Sequence, residues 1–134
     1  MIDPSLALQK SIVARLNDSL IIDVQTLDKG GLPTCFPSII VGEAHVVWPD
    51  YADSFVTAVH TDLHIWTDTD GVASVKKIAG KVREVLFRGP WQIDGHTCAN
   101  LRIESGRYMR DPDGKHSHGV LTVTALLQEL VQPR

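Results

Sequence analysis

The chain has 134 residues, 14.8 kDa, with 43% hydrophobic and 22% charged residues and a formal net charge of −3. A chain of this length buries roughly two-thirds of the surface its unfolded form exposes, so one domain spanning residues 1–134 with a packed core is expected and disorder is excluded. The missing basic surplus removes the usual electrostatic basis for nucleic-acid binding, and no leader-like N-terminus or apolar run of about 18 residues argues for export or a membrane-spanning helix.

Asp3 followed by Pro4 reads as a helix start, because the aspartate accepts from free amides and proline loses nothing at the first helical position. Leu8, Ile12 and Leu16 then fall four apart, flanked by Leu6 and Val13, which predicts an amphipathic helix. From Ile21 to Cys35 the pattern fades into Gly, Pro and Asp, so a long surface loop is expected, with one short strand around Ile22 to Val24. Phe36 to Trp48 reads as a strand with Pro37 confined to its start. After a break from Trp48 to Ser54, a second strand runs from about Phe55 to Thr67. Its Val59, Thr61, Leu63 and Ile65 share one face, and Ala58, His60, Asp62, His64 and Trp66 share the half-wet other.

Asp68-Thr-Asp-Gly opens a second helix, in which Val75, Ile78, Ala79, Val82, Val85 and Leu86 repeat at helical spacing and Gly89-Pro90 ends the run. Asp68 and Asp70 are expected as caps, and Phe87 and Trp91 as core residues near the helix end. Asp94-Gly95 marks a turn into Cys98–Met109, which alternates, as does Gly119–Leu127. Between these lies Arg110-Asp-Pro-Asp-Gly-Lys, a turn in which Pro112 presets φ, Asp113 tolerates the left-handed region and Gly114 adopts it freely. This predicts a β-hairpin with Leu101, Ile103 and Ser105 on one side and Leu121, Val123, Ala125 and Leu127 opposite. The expected fold is α+β: a two-layer sandwich on an about four-stranded, mainly antiparallel sheet with two helices, in the order α-β-β-α-β-β.

Chemistry-bearing motifs are scarce. Cys35 and Cys98 belong to no CxxC pattern and read as reduced thiols of a cytosolic protein; His96 beside Cys98 is the only hint of a nucleophile and its base. His60 and His64, and His116 and His118, alternate so that each pair can share a face, but zinc needs three or four converging ligands. Asp68, Asp70, Asp111 and Asp113 are sufficiently explained as caps and turn formers. No catalytic, metal or cofactor-binding residue is assigned, and no cofactor is expected. Trp48 and Tyr51, in the break between strands, either fold back on the sheet or meet a partner.

Five segments in order carry a resemblance: Phe36-Pro-Ser-Ile-Ile-Val-Gly-Glu, Leu63-His-Ile-Trp-Thr, the Val75–Leu86 helix, Asn100-Leu-Arg-Ile-Glu-Ser-Gly-Arg, and Arg110-Asp-Pro-Asp-Gly-Lys-His-Ser-His-Gly-Val-Leu. Together they resemble the tail completion or tail terminator proteins of siphophage-type tails, prophages and gene transfer agents, from Leu8 through Leu127. The resemblance implies a non-enzymatic virion protein that forms a ring, commonly of six subunits, at the head-proximal end of the tail tube. Such a ring stops tube polymerisation and offers a surface to the head's connector. Implied partners are further copies of the chain, the tail tube protein and the head-tail connector protein, with DNA passing through the ring unbound and no membrane involved. The protein is then expected at the neck end of the virion tail, and in the bacterial cytoplasm during assembly. Expected contacts are the loop Asp23–Thr34, the segment Trp48–Phe55 and the hairpin tip Arg110–His118, with Trp48, Asp50, Tyr51, Arg110, Asp113, Lys115, His116 and His118 as candidate residues. Two other functions compete: a head completion or neck protein on the portal, and a small metal-dependent hydrolase using His60, His64, His116 and His118.

Overall fold

Helix α1 spans Pro4–Asp18, and Asp3 starts it as the sequence requires: its carboxylate accepts from the amides of Ser5 and Leu6. The computed structural model describes residues 3–19, 24–27, 33, 35–48, 56–69 and 71–130. Leu8, Ile12 and Leu16 are fully buried along the inner face of α1, each stabilising the fold by about 1.5–3 kcal/mol relative to exposure. Arg15, from the opposite flank, donates to the carbonyls of Arg88 and Pro90 and lies 3.6 Å over the Trp91 ring, tying α1 to the chain beyond the second helix. Trp91 is therefore half-buried under a guanidinium, with its indole N–H on the Leu86 carbonyl at 3.2 Å. Phe87, expected in the core, is 52% exposed and lies against Arg83.

Three strands follow α1: β1 (Gln25–Leu27), β2 (Ser38–Val47) and β3 (Val56–Thr67). Helix α2 (Ala73–Leu86) precedes β4 (Gln92–Ile93), β5 (His96–Arg110) and β6 (Ser117–Glu129). All six strands form one sheet in the order β1-β2-β3-β6-β5-β4, with β1 parallel to β2 and every other pair antiparallel. Helix α1 touches β1, β2 and β3 on one side and β4 on the other, although β1 and β4 are opposite edges of the sheet. The sheet is thus curled around the helices as a half-barrel.

This corrects the expected four-stranded two-layer sandwich: the sheet has six strands, is mixed, and the order is α-β-β-β-α-β-β-β. The two additional strands are too short to carry an alternating pattern. Asn17 holds β1 from the helix side, its amide donating to the Thr26 carbonyl at 3.1 Å and its oxygen accepting the Thr26 amide at 2.9 Å, as a neighbouring strand would. The short strand expected around Ile22 to Val24 lies mostly outside the described residues, and Val24 itself is a buried bend before β1. Asp94-Gly95 turns β4 into β5, with Gly95 at φ 72°.

Strand β3 alternates as its sequence does, with Val59, Thr61, Leu63 and Ile65 buried under the helices. Leu121, Val123, Ala125 and Leu127 of β6 join them. In β5 a register shift between Ile103 and Ser105 reverses the phase, so Ser105 pairs with Thr122 and leaves the face that Leu101 and Ile103 share. Helix α2 buries Val75, Ala79, Val82, Val85 and Leu86, but begins without a side-chain cap. The aspartate expected to cap it at 68 does not; Asp70 lies outside the described residues. Hydroxyls serve that corner instead: Ser74 donates to Thr67 Oγ1 at 3.2 Å, and Ser117 donates to the carbonyls of Thr69 (2.7 Å) and Gly71 (3.0 Å).

Candidate functional site

The hairpin tip between β5 and β6 is built by Asp113. Its Oδ1 accepts the amides of Lys115 (2.8 Å) and His116 (3.1 Å), and its Oδ2 pairs with His116 Nδ1 at 2.5 Å. These bonds, led by the Lys115 amide, lower its pKa to about 2, since donors stabilise the charged form. Gly114 takes φ 71° and donates to the Asp111 carbonyl at 3.0 Å; Asp113 itself keeps a negative φ, contrary to the left-handed role expected of it. His116 packs against Phe36 with centroids 4.3 Å apart and the rings tilted by 30°. Arg110 and Lys115 stand exposed on either side of the turn. Asp111, Asp113 and His116 bring one ligand atom each within 4.8 Å of one another, but the oxygens already accept the turn's amides, so the cluster is accounted for as turn chemistry.

One step into the sheet, His118 lies flat on Trp66, centroids 3.9 Å apart and planes 8° from parallel, with His64 on its other flank at 2.9 Å from Nδ1 to Nε2. A contact of this kind needs one ring nitrogen to donate and the other to accept. Burial, then the neighbouring His64, lowers the pKa of His118. Further along the same face His60 meets Thr124 Oγ1 at 3.0 Å, and Thr124 donates to Glu104 at 3.1 Å. His60 stands four residues from His64 along β3, about 13 Å at strand rise. The four histidines of the hydrolase reading are therefore not brought together. Cys98 is no better placed as a nucleophile: burial raises its thiol pKa, and the sulfur faces the Asn100 carbonyl at 3.5 Å. His96 is buried with Nδ1 2.7 Å from the Asp94 carbonyl.

Trp48 lies at the other end of the sheet. It is 58% exposed, in the company of Val47, Val56 and Leu130, which are also exposed. Val56 opens β3 and Thr67, beside the hairpin tip, closes it, so the two ends are about 35 Å apart at strand rise. The candidate residues thus divide into two groups, Trp48 at one end and Arg110, Asp113, Lys115, His116 and His118 at the other. Asp50 and Tyr51 lie outside the described residues, as does most of the Asp23–Thr34 loop. Val56, Leu130 and the half-exposed Tyr108 were not singled out by sequence, because isolated apolar residues at strand ends break no pattern.

The family model described as tail completion protein gp17 matches residues 10–128. Among solved structures, a chain in the virion of a native gene transfer agent particle is similar at TM-score 0.82 and 15% identity, over 96% of this chain and 99% of that one. The bacteriophage SPP1 gp17 protein is similar at TM-score 0.57 and 23% identity, over 97% and 93% respectively. No curated protein matches the chain. The two structural likenesses speak for the fold.

Proposed function

The chain belongs to the tail completion protein gp17 family, whose members are structural proteins of virion tails, and we propose that it forms a ring on the head-proximal end of the tail tube. The single observation that carries this reading is the family match, which runs from within α1 to the end of β6. In this role the ring, of six copies, ends tube polymerisation and presents its other side to the head-tail connector. The whole chain acts as one domain. The structure supports the reading by its polarity: an ordered polar tip and an exposed apolar end, about 35 Å apart by strand rise, suit a protein that meets different partners at its two ends. The net charge of −3 suits a passage through which DNA slides without being held.

The test is to add the purified chain to tail tubes assembled without it and view them by electron microscopy. One tube end should be capped and tube lengths should stop growing. Bare tubes, with the protein bound to portal rings instead, would overturn the reading in favour of a head completion protein.

A further inference from the structure

Two strand borders of the curled sheet are open among the described residues. Strand β4 pairs with β5 only at His96 and Thr97, so the border of β5 from Cys98 to Arg110 has no described neighbour. Strand β1 covers β2 only from Ser38 to Ile40, which leaves Val41 to Val47. Open borders present rows of N–H and C=O groups ready to pair with another chain. The two differ in charge: the β5 border carries Arg102, Arg107 and Arg110 against one acid, Glu104, whereas the β2 border carries Glu43 and no Lys or Arg. Both have exposed bulky residues, Tyr108 on β5 and Val47 with Trp48 at the end of β2.

We propose that the β5 border of one copy pairs with the β2 border of the next, joining the curled sheets of successive copies; the inference rests on the ring reading above and names the contact that closes it. Three antiparallel steps separate β2 from β5. A second copy set alongside in the same orientation therefore brings its β2 antiparallel to the first copy's β5. Opposite borders meet arginines with a glutamate, whereas β5 on β5 would set arginine against arginine, so the charges select a head-to-tail contact over a two-fold one. The covering strands leave the middle of both borders free. Strand β1 shields β2 at the Trp66 end, and β4 shields β5 at the Gln128 end. The free parts, Val41–Val47 and Cys98–Arg110, nevertheless lie at the same level, since pairing through β3 and β6 sets Val47 level with Asn100 and Val41 level with Gly106. Copies set side by side bring them together, and a small shift along the strands, which a ring accommodates by tilting its strands as a barrel does, sets Glu43 against Arg107.

The test uses full-length chain with Cys35→Ser and Cys98→Ser, to which Glu43→Cys and Arg107→Cys are added singly and together. Each form is assembled on tail tubes and treated with a short bis-maleimide. The paired variant should give a ladder of covalent multimers up to the full ring, and each single variant only monomer. Rings visible by electron microscopy without a ladder would overturn the contact while leaving the ring reading standing; dimers from a single variant would overturn it in favour of a two-fold contact; absence of any ring on tubes would remove the reading beneath it. Independently, Arg107→Glu and Glu43→Lys should each reduce capped tubes at least tenfold, and their combination should restore them. Failure of the combination to restore capping, with both single variants folded, would also overturn the contact.

Discussion

The two ends of the sheet are finished in opposite ways. At the hairpin tip the turn aspartate, the histidines and the serine are engaged within the molecule, with Lys115 left exposed: Asp113 with its turn amides, His116 with Phe36, His118 between Trp66 and His64, and Ser117 with the carbonyls ahead of α2. At the Val56 end, Val47, Trp48, Val56 and Leu130 are 40–58% exposed and apolar. Clustered exposed apolar residues on a soluble protein mark an interaction surface more often than scattered ones do. The difference teaches that the turn at the tip is held in shape by its own bonds before it meets anything, while the Trp48 end, on the proposed function, gains its cover from a partner. Substitutions at the two ends should therefore separate folding from assembly.

The largest effect on folding is expected at Gly119, beside the tip. A Cβ there would sit 2.5 Å from Val75 Cγ1, on a helix residue that is fully buried and has no room to retreat. Gly119→Ala should destabilise the chain by about 1–3 kcal/mol through overpacking, read as a lowered urea midpoint at unchanged slope. Trp48→Ala should do the reverse: a stability change within about 0.5 kcal/mol, as for other surface positions, with far fewer capped tubes. If Trp48→Ala instead unfolds the protein and leaves capping of the surviving molecules intact, the division between the ends is wrong.

The same contrast runs through what the sequence made legible. Both helices, the β5–β6 hairpin and the two faces of β3 follow from apolar spacing, because each buries a long periodic stripe. The helix start at Asp3 was equally plain, a side-chain bond made within three residues. What escaped depends on distant partners. Strand β1 exists because Asn17 reaches it from α1, and β4 because a turn folds two residues back on β5. With those two strands the sheet is six-stranded and mixed, curled as a half-barrel, in place of the expected four-stranded two-layer sandwich. The bulge that turns Ser105 outward leaves no mark in composition, and of the two aromatics expected in the core Trp91 packs against it with Arg15 over its ring while Phe87 stays exposed. At the tip, the turn residues were legible but the stack of His64, His118 and Trp66 was not, since it joins β3 to β6 across a register that only the folded sheet defines.

That stack gives the next effect in size. His118 has a folded pKa below its ordinary value of 6.5, so at mildly acidic pH the unfolded chain binds more protons than the folded one. Stability from this group is complete above pH 6.5 and is lost as pH falls through the lower folded value. The His118→Phe variant keeps a ring on Trp66 and removes the titration. Its denaturation midpoint should fall less than the parent's between pH 7 and pH 5. An unchanged acid limb would mean that His118 protonates without disturbing its neighbours.

The smallest effect is expected at the turn itself. Asp113 has a folded pKa of about 2 against 3.8, so its contribution is present above pH 3.8 and is lost as pH falls through about 2. The carboxylate is exposed, and water competes for every bond it makes, so Asp113→Asn should leave global stability nearly unaltered and act locally. The amide oxygen of asparagine still accepts from the chain but more weakly than a charged carboxylate, and it offers His116 no counter-charge. Amide exchange at Lys115 and His116 should accordingly quicken several-fold above pH 4, while exchange at Leu63 and Val123, in the buried centre of the sheet, stays as in the parent. Faster exchange at the sheet centre as well would show that the tip and the core open together, and the division between an autonomous tip and a partner-dependent far end would have to be redrawn.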